Sequence, residues 1–220
     1  MTSALFIHHS VGRQIIQEGG LRRKLHASIP SLELWDHDEN ELGLSDGAGS
    51  PLGTSFPIPG DNTDPDGLLA ILRGIEAGEP WAESATTFDV LVLKSCFPNN
   101  AIHSDAATTS LKRVYQEMRD VALALPQAVL LVSSPPLGFE ATRPDQAARA
   151  AEIAAWLGSH WTGPRLEHAN IFDTLAYHSG PARGTLRLRY RRKHPGDSHL
   201  GVAGAEAAAR TIVSAVRAVS

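Results

Sequence analysis

Ser10 is the residue whose setting points most directly to chemistry. It follows an apolar run that begins at Ala4, and an amphipathic stretch begins just after it. This pattern predicts a strand, a tight turn and a helix, with Ser10 at the turn. A serine there exposes its hydroxyl near a helix N-terminus at the edge of a sheet, where α/β proteins bind ligands and stabilise negative charge. Serine is also a preferred helix N-cap, so a capping role stays open.

A serine nucleophile needs a base, because a free hydroxyl is weakly nucleophilic at neutral pH. His199 is the best candidate, since it lies in a short loop just before the last predicted helix. Asp197, two residues earlier, can orient the imidazole and stabilise its protonated form. The same loop is also consistent with simple capping of the helix by Asp197 or Ser198. Ser10, His199 and Asp197 are therefore the predicted catalytic residues.

Donors for an oxyanion are predicted in two other segments. The amide of Gly60 and the side chain of Asn62 stand in a long loop over 43–66, and two preorganised donors of this kind can stabilise a tetrahedral oxyanion. Lys94 and Asn99 follow the most apolar strand and can hold substrate or supply a further donor, although Pro-Asn-Asn is also good turn chemistry. We assign oxyanion or substrate binding to Gly60, Asn62, Lys94 and Asn99.

The elements that must position these residues alternate between strand and helix patterns. Strands are predicted at 4–8, 32–35, 90–93, 128–132 and 166–172, and helices at 12–26, 67–78, 104–125, 144–160 and 200–219. Residues 185–193 are a possible edge strand or hairpin arm. Such alternation predicts a parallel sheet with helices on both faces, whose strand C-termini share one edge. The polar segments after the strands would meet at that edge.

Three predicted helices carry signals for where they start. Ser104 is a plausible N-cap, and Pro144 suits a first helical turn. Asp64 can cap the helix that follows it, with Pro65 at the first position. Cys96, beside Lys94, is interpreted as a small buried residue rather than a nucleophile.

Composition bounds the remaining possibilities. The chain has 220 residues, 42% hydrophobic and 20% charged, which predicts one globular domain over 1–220. The formal net charge of −4 argues against a general nucleic-acid binder. A single cysteine excludes an internal disulfide and fits a reducing compartment. No apolar run approaches the roughly 20 residues that cross a membrane, and no signal peptide is evident, so we expect a cytoplasmic protein without membrane partners.

Two rival chemistries remain open. A metal site is conceivable because several good ligand types could meet at neighbouring strand ends, although no His-x-x-x-His spacing is present. The candidate ligands are His8, His9, Asp36, His37, Asp38 and His194. Asp61, Asp64 and Asp66 could alternatively bind calcium, although their spacing does not match that of an EF-hand loop. The basic stretch from Arg187 to Lys193 could receive an anionic substrate or nucleic acid, but it also suits a solvated edge strand whose charges prevent edge pairing.

Four segments, in order, resemble the blocks of the SGNH (GDSL-like) hydrolase superfamily. Residues 9–12 (HSVG) are similar to a divergent first block that reads His-x-Ser-Val-Gly instead of Gly-Asp-Ser. Residues 60–65 (GDNTDP) resemble the second block, 94–97 (KSCF) the third and 197–200 (DSHL) the fifth. The similarity spans residues 4 to 204.

The resemblance implies a three-layer flavodoxin-like fold with a central, mainly parallel sheet of about five strands. It implies Ser10 as nucleophile, His199 as base, and oxyanion donors from the amides of Ser10 and Gly60 and from an asparagine. Two departures are present. Phe97 or Asn99 stands near the usual asparagine, which leaves Asn62 as a substitute. The usual acid position holds Gly196, so Asp197, Asp173 or a Ser-His dyad without an acid remain alternatives.

The sequence therefore predicts a metal-independent serine esterase without a cofactor. Its partner would be a small-molecule ester, either an O-acyl group on a carbohydrate or another small acyl ester. An acyltransferase would use the same residues with another acceptor. The alternatives are a non-catalytic SGNH-like binding domain and a metal-dependent hydrolase that uses the His/Asp cluster.

Overall fold

A six-stranded sheet forms the centre of the part of the chain that the structure describes. This computed structural model describes residues 2–38, 43–54, 64–192 and 197–219. The strands are β1 (Thr2–His8), β2 (Leu32–Asp38), β3 (Gly43–Ser45), β4 (Val90–Lys94), β5 (Ala128–Val132) and β6 (Leu166–Ala169). Their spatial order is β3-β2-β1-β4-β5-β6, in which only β3 is antiparallel to its neighbour.

The five parallel strands follow the flavodoxin-like order. The chain moves from β1 to β2 on one side and later crosses to β4 on the other side of β1. The switch point therefore lies between the C-terminal ends of β1 and β4, where open α/β sheets bind ligands. The mainly parallel α/β architecture predicted from the sequence is confirmed, with a sixth, antiparallel edge strand in addition.

Helices cover both faces of the sheet. They are α1 (Ser10–Gln17), α2 (Leu21–Ser28), α3 (Pro65–Ala77), α4 (Glu83–Thr86), α5 (Asp105–Ala124), α6 (Pro144–His160), α7 (Ile171–Leu175) and α8 (Val202–Val219). Helices α1, α2 and α7 pack against α8 on one face, whereas α3, α5 and α6 pack together on the other. None of the described helices is long and apolar enough to cross a bilayer.

Alternation along the strands produces two cores. Ala4 and Phe6 lie in the core under α8, and Leu5 and Ile7 lie in the core under α5. The continuous apolar sequences of β4 and β5 divide in the same way, because successive strand residues point to opposite faces and both faces are covered.

Several element boundaries differ from the prediction. The helix expected over 12–26 is two helices. Gly20, with a φ of 64°, interrupts the helical backbone and is the N-cap residue of α2. The loop over 43–66 contains β3, and the strand expected over 166–172 ends at Ala169, where α7 follows. The possible strand over 185–193 is wrong: it contains a 3-10 helix, Leu188–Tyr190, and touches its neighbours through isolated bridges.

The predicted helix starts are confirmed where the sequence carried capping signals. The Ser104 side chain accepts the backbone N–H of Ala107 at 3.1 Å. The Asp64 side chain accepts from the backbone of Asp66, with Pro65 at the first helical position. Pro144 begins α6. These local bonds satisfy donors that a helix N-terminus leaves without partners.

Candidate active site

Ser10 is the first residue of α1 and stands directly after β1. His9 is the N-cap residue, its side chain makes no capping hydrogen bond, and Ser10 is the first helical residue, so the capping role considered for Ser10 is wrong. The backbone N–H of Ser10 is one of the donors that a helix leaves free in its first turn. Ser10 therefore combines a hydroxyl, a backbone N–H without a partner inside the helix, and the positive end of a helix dipole at the switch point of the sheet.

The structure brings His199 to Ser10 across the length of the chain. The distance from Ser10 Oγ to His199 Nε2 is 3.3 Å, although the two residues are 189 positions apart in sequence. Phe97, from the segment after β4, packs its ring against the imidazole at a centroid distance of 5.1 Å and an angle of 75°. The imidazole thus contacts one residue from the segment after β1 and one from the segment after β4, the two strands that form the switch point.

Asp197 stands behind His199. Its Oδ1 lies 2.7 Å from His199 Nδ1 and also accepts the backbone N–H of His199 at 2.8 Å. Burial alone would raise the pKa of Asp197, but the two hydrogen bonds from His199 outweigh it and the pKa is lowered. The alternative acid, Asp173, is exposed and lies 3.5 Å from His178 Nδ1. The acid that the structure places against His199 is Asp197.

Two further side chains fix the loop that carries His199. Ser198 Oγ accepts the buried backbone N–H of Gly138 at 3.0 Å. Gln14 Oε1 accepts the N–H of Leu200 at 3.3 Å, and Gln14 lies one turn after Ser10 on the same helix. Sequence reasoning did not single out Gln14, although a glutamine on the apolar face of α1 was a detectable signal.

Lys94 does not reach the surface of the site. It is completely buried, and its Nζ donates to the carbonyl oxygen of Ser95 at 2.8 Å. Burial lowers the pKa of Lys94 to about 8. In this structure Lys94 therefore bonds to the backbone of the protein and does not reach a position where it could contact substrate.

The segment after Lys94 forms the turn considered from its sequence. A 3-10 helix spans Phe97–Asn100, and the predicted donor Asn99 is half-buried within it. Asn100, its neighbour, donates to the carbonyl oxygen of Pro135 at 2.7 Å and so joins the loops after β4 and β5. Cys96 is half-buried, which differs from the fully buried position expected.

The two loop donors predicted from sequence, Gly60 and Asn62, lie outside the described residues. Asp61, from the calcium alternative, and His194, from the metal alternative, also lie outside them. Among residues that are described, no group of three or more His, Cys, Asp or Glu side chains is arranged to hold a metal ion.

Two of the remaining candidate metal ligands, Asp36 and Asp38, pair with arginines. Asp38 accepts from Arg13 at 2.6 Å, and Asp36 contacts both Arg22 and His8. These contacts join β2 to α1, α2 and the end of β1. The two aspartates therefore support the turn between β1 and α1, which carries Ser10.

The basic stretch before Asp197 is bound to the protein itself. Arg187 donates to the carbonyls of Thr174 and Ala176. Arg191 pairs with Glu140, Arg192 pairs with Glu18, and Arg189 stacks on Tyr190. These arginines attach the segment to its surroundings at several points. The alternation of leucine and arginine is therefore explained by these contacts, without strand pairing.

Comparisons with known proteins agree with this architecture. No protein-family model matches the sequence, and no curated protein is significantly similar to it. A lipase from a goat rumen metagenome superposes with a TM-score of 0.61 at 12% identity, covering 98% of this chain and 97% of that one. A putative acylhydrolase from Bacteroides fragilis gives 0.57 at 12% identity, covering 99% and 87%.

A GDSL-like lipase from Bacteroides thetaiotaomicron gives a TM-score of 0.53 at 11% identity, covering 99% of this chain and 86% of that one. The similarity extends over nearly the whole chain in each case, so it concerns the entire sheet and its helices rather than one motif. The chain therefore has the fold of the SGNH (GDSL-like) hydrolases.

Proposed function

We propose that this protein is a serine hydrolase that cleaves an O-acyl ester. The observation that carries the proposal is the 3.3 Å contact between Ser10 Oγ and His199 Nε2 at the switch point of the sheet. A hydroxyl and an imidazole at this distance are within reach for proton transfer. A helix cap or an ordinary surface loop has no need of such a pairing.

In the proposed reaction, His199 Nε2 takes the proton of Ser10 as Oγ attacks the ester carbonyl carbon. Asp197 stabilises the imidazolium that forms, through the 2.7 Å contact at Nδ1. The protonated His199 then gives its proton to the departing alkoxide, which leaves the acyl group on Ser10. Water attacks this acyl-enzyme, His199 takes the water's proton and returns it to Ser10 Oγ, and the carboxylic acid is released.

The tetrahedral intermediates carry an oxyanion that needs donors. The Ser10 N–H at the start of α1 is the proposed first donor, since it has no partner within the helix and lies at its positive end. The Gly60 amide and the Asn62 side chain are the further donors that the family resemblance implies. We propose no metal ion in this mechanism, because proton transfer by His199 activates the nucleophile.

The proposed substrate is a small acyl ester, acylated carbohydrates included. The similar structures are described as lipases and acylhydrolases, which supports an ester as the substrate class. The test is hydrolysis of p-nitrophenyl esters from acetate to octanoate, together with acetate release from acetylated sugars. We expect wild-type turnover that EDTA does not reduce.

Two variants and two matched controls decide the outcome. Ser10→Ala and His199→Gln should lower kcat by about three orders of magnitude or more, because the two residues act as a unit. Ser214→Ala and His26→Gln, at exposed positions on α8 and α2, should match the wild type. Turnover that survives Ser10→Ala but not EDTA would favour a metal-dependent hydrolase. Ester binding without turnover would favour a binding domain.

A further inference from the structure

A completely buried histidine lies directly beneath the turn that carries Ser10. His8 is the last residue of β1, and its Nδ1 lies 3.0 Å from the carbonyl oxygen of His9. Its Nε2 lies 3.0 Å from Oδ2 of Asp36 on β2. Arg22 of α2 contacts the other carboxylate oxygen of Asp36. A continuous polar chain therefore runs from α2 through β2 to the nucleophile turn.

The His9 carbonyl belongs to the same peptide group as the N–H of Ser10. That oxygen also accepts the backbone N–H of Arg13 at 3.1 Å. Two donors on one carbonyl oxygen fix the plane of the peptide group, and with it the direction of the Ser10 N–H. Hydrogen bonds in series also polarise one another, so a donor on the carbonyl strengthens the N–H as a donor.

The contact with His9 defines the tautomer of His8. A carbonyl oxygen only accepts, so Nδ1 must carry a proton for the 3.0 Å contact to be a hydrogen bond. The contact between Nε2 and Asp36 Oδ2 then shares one further proton. Burial disfavours the charged ring and lowers the pKa of His8 to about 4.

Gly12 has no side chain because His8 occupies the space that one would need. A Cβ at position 12 would lie 2.2 Å from His8 Cβ and 2.4 Å from His8 Cγ. His8 Cβ cannot move away by side-chain rotation, since it is attached directly to the backbone of β1. The spacing of His8, Ser10 and Gly12 thus has a physical reason: the histidine lies below the turn, the serine lies on it, and the glycine covers the histidine.

We propose that His8 is a positioning residue that holds the Ser10 N–H toward the oxyanion, through its hydrogen bond to the His9 carbonyl. Asp36, held by Arg22, contacts the other ring nitrogen and so fixes the orientation of the imidazole. This inference rests on the proposed function, because an oxyanion forms only if Ser10 is acylated. It adds that His8, which does not contact substrate, determines the direction of the Ser10 N–H.

The test compares His8→Leu, which removes the donor, with His8→Asn, whose side-chain N–H can take the position of Nδ1. His8→Leu should lower kcat about 10- to 100-fold with little change in KM, somewhat less than the loss of a whole oxyanion donor. It should weaken a boronic acid inhibitor, which forms a tetrahedral anion on Ser10, by the same factor. His8→Asn should restore most of both losses.

His168→Leu is the matched control, because His168 is another largely buried histidine, on β6. Burial lowers the pKa of His168 to about 4, as at His8. This variant should leave kcat and boronate affinity unchanged. Equal kcat and boronate affinity in His8→Leu and wild type would overturn the inference. A wild type that hydrolyses no ester would instead overturn the proposed function.

Nitrogen-15 NMR of the wild type tests the arrangement without activity, and it remains informative if His8→Leu fails to fold. We expect the proton of His8 on Nδ1, whereas a proton on Nε2 alone would overturn the inference. Asp36→Asn should keep this tautomer, because an amide can face Arg22 with its oxygen and donate to Nε2 with its nitrogen. A move of the proton to Nε2 alone in that variant would contradict the inference that the His9 carbonyl holds the proton on Nδ1.

Discussion

Replacing Asp197 with asparagine tests how much the acid behind His199 contributes. The substitution keeps size and shape but removes the negative charge that faces the imidazolium in the proposed reaction. Asp197 Oδ1 receives both the ring Nδ1 and the backbone N–H of His199. The ring contact is the one that strengthens when the imidazole is protonated.

The expected size of the effect follows from that contact and its exposure. Hydrogen bonds to charged groups contribute about 1.5–3 kcal/mol, compared with about 0.5–1.5 kcal/mol for neutral ones. The side chains of His199 and Asp197 are 33% and 26% exposed, so solvent screens part of their interaction. Replacing a charged acceptor by a neutral one therefore loses about 1–1.5 kcal/mol in the transition state, which corresponds to a kcat about 5- to 13-fold lower.

The assay is steady-state hydrolysis of p-nitrophenyl acetate by the wild type, Asp197→Asn and Asp173→Asn. Asp173 is the matched control, because its carboxylate is exposed and faces His178. Asp173→Asn should match the wild type. A kcat within about 3-fold of wild type for Asp197→Asn would refute the reasoning and favour a Ser-His dyad. A large loss in Asp173→Asn would assign the acid to that residue instead.

Three other predictions concern the support around the site. Gly12→Ala should lower the free energy of unfolding by about 1–3 kcal/mol, because its Cβ would overlap His8; urea unfolding measures this. Ser198→Ala leaves the buried N–H of Gly138 without an acceptor and should cost about 1–3 kcal/mol in the same assay. The pKa of Lys94 is lowered from 10.5 to about 8, so the unfolded chain binds more protons between these pH values and wild-type stability rises with pH there. Lys94→Met should remove about 3 kcal/mol of that rise, seen by comparing unfolding at pH 7.5 and pH 10.5, and an unchanged rise would contradict the burial of the charge.

The sheet could be predicted because β1, β4 and β5 contain continuous apolar runs, which are typical of a sheet covered on both faces. The three-residue strand β3 could not, since Gly43–Ser45 lies among turn-forming residues and pairs only because β2 extends beside it. The alternation over 185–193 misled because arginines that bind nearby carbonyls and carboxylates show the same period as an edge strand. The local sequence pattern does not distinguish arginines that bind nearby groups from arginines on an edge strand.

The site residues also fall into two groups, those that local sequence indicates and those that depend on tertiary packing. Ser10 and His199 could be proposed from their neighbours in sequence, because a turn and a loop before a helix are local signals. The contacts of Gln14 with Leu200 and of His8 with Asp36 depend on how α1 and β2 pack, which no local pattern gives. Lys94 is the last residue of the apolar strand β4, but whether its ammonium turns outward or inward is decided by tertiary packing.

The most direct test of the central claim is the site at which a fluorophosphonate reacts. Such reagents bond covalently to a serine whose hydroxyl is activated by a neighbouring base. Peptide mapping by mass spectrometry should place the adduct on Ser10 in the wild type, with no adduct in Ser10→Ala and much slower labelling in His199→Gln. An unlabelled wild type, or an adduct on another serine, would contradict the account.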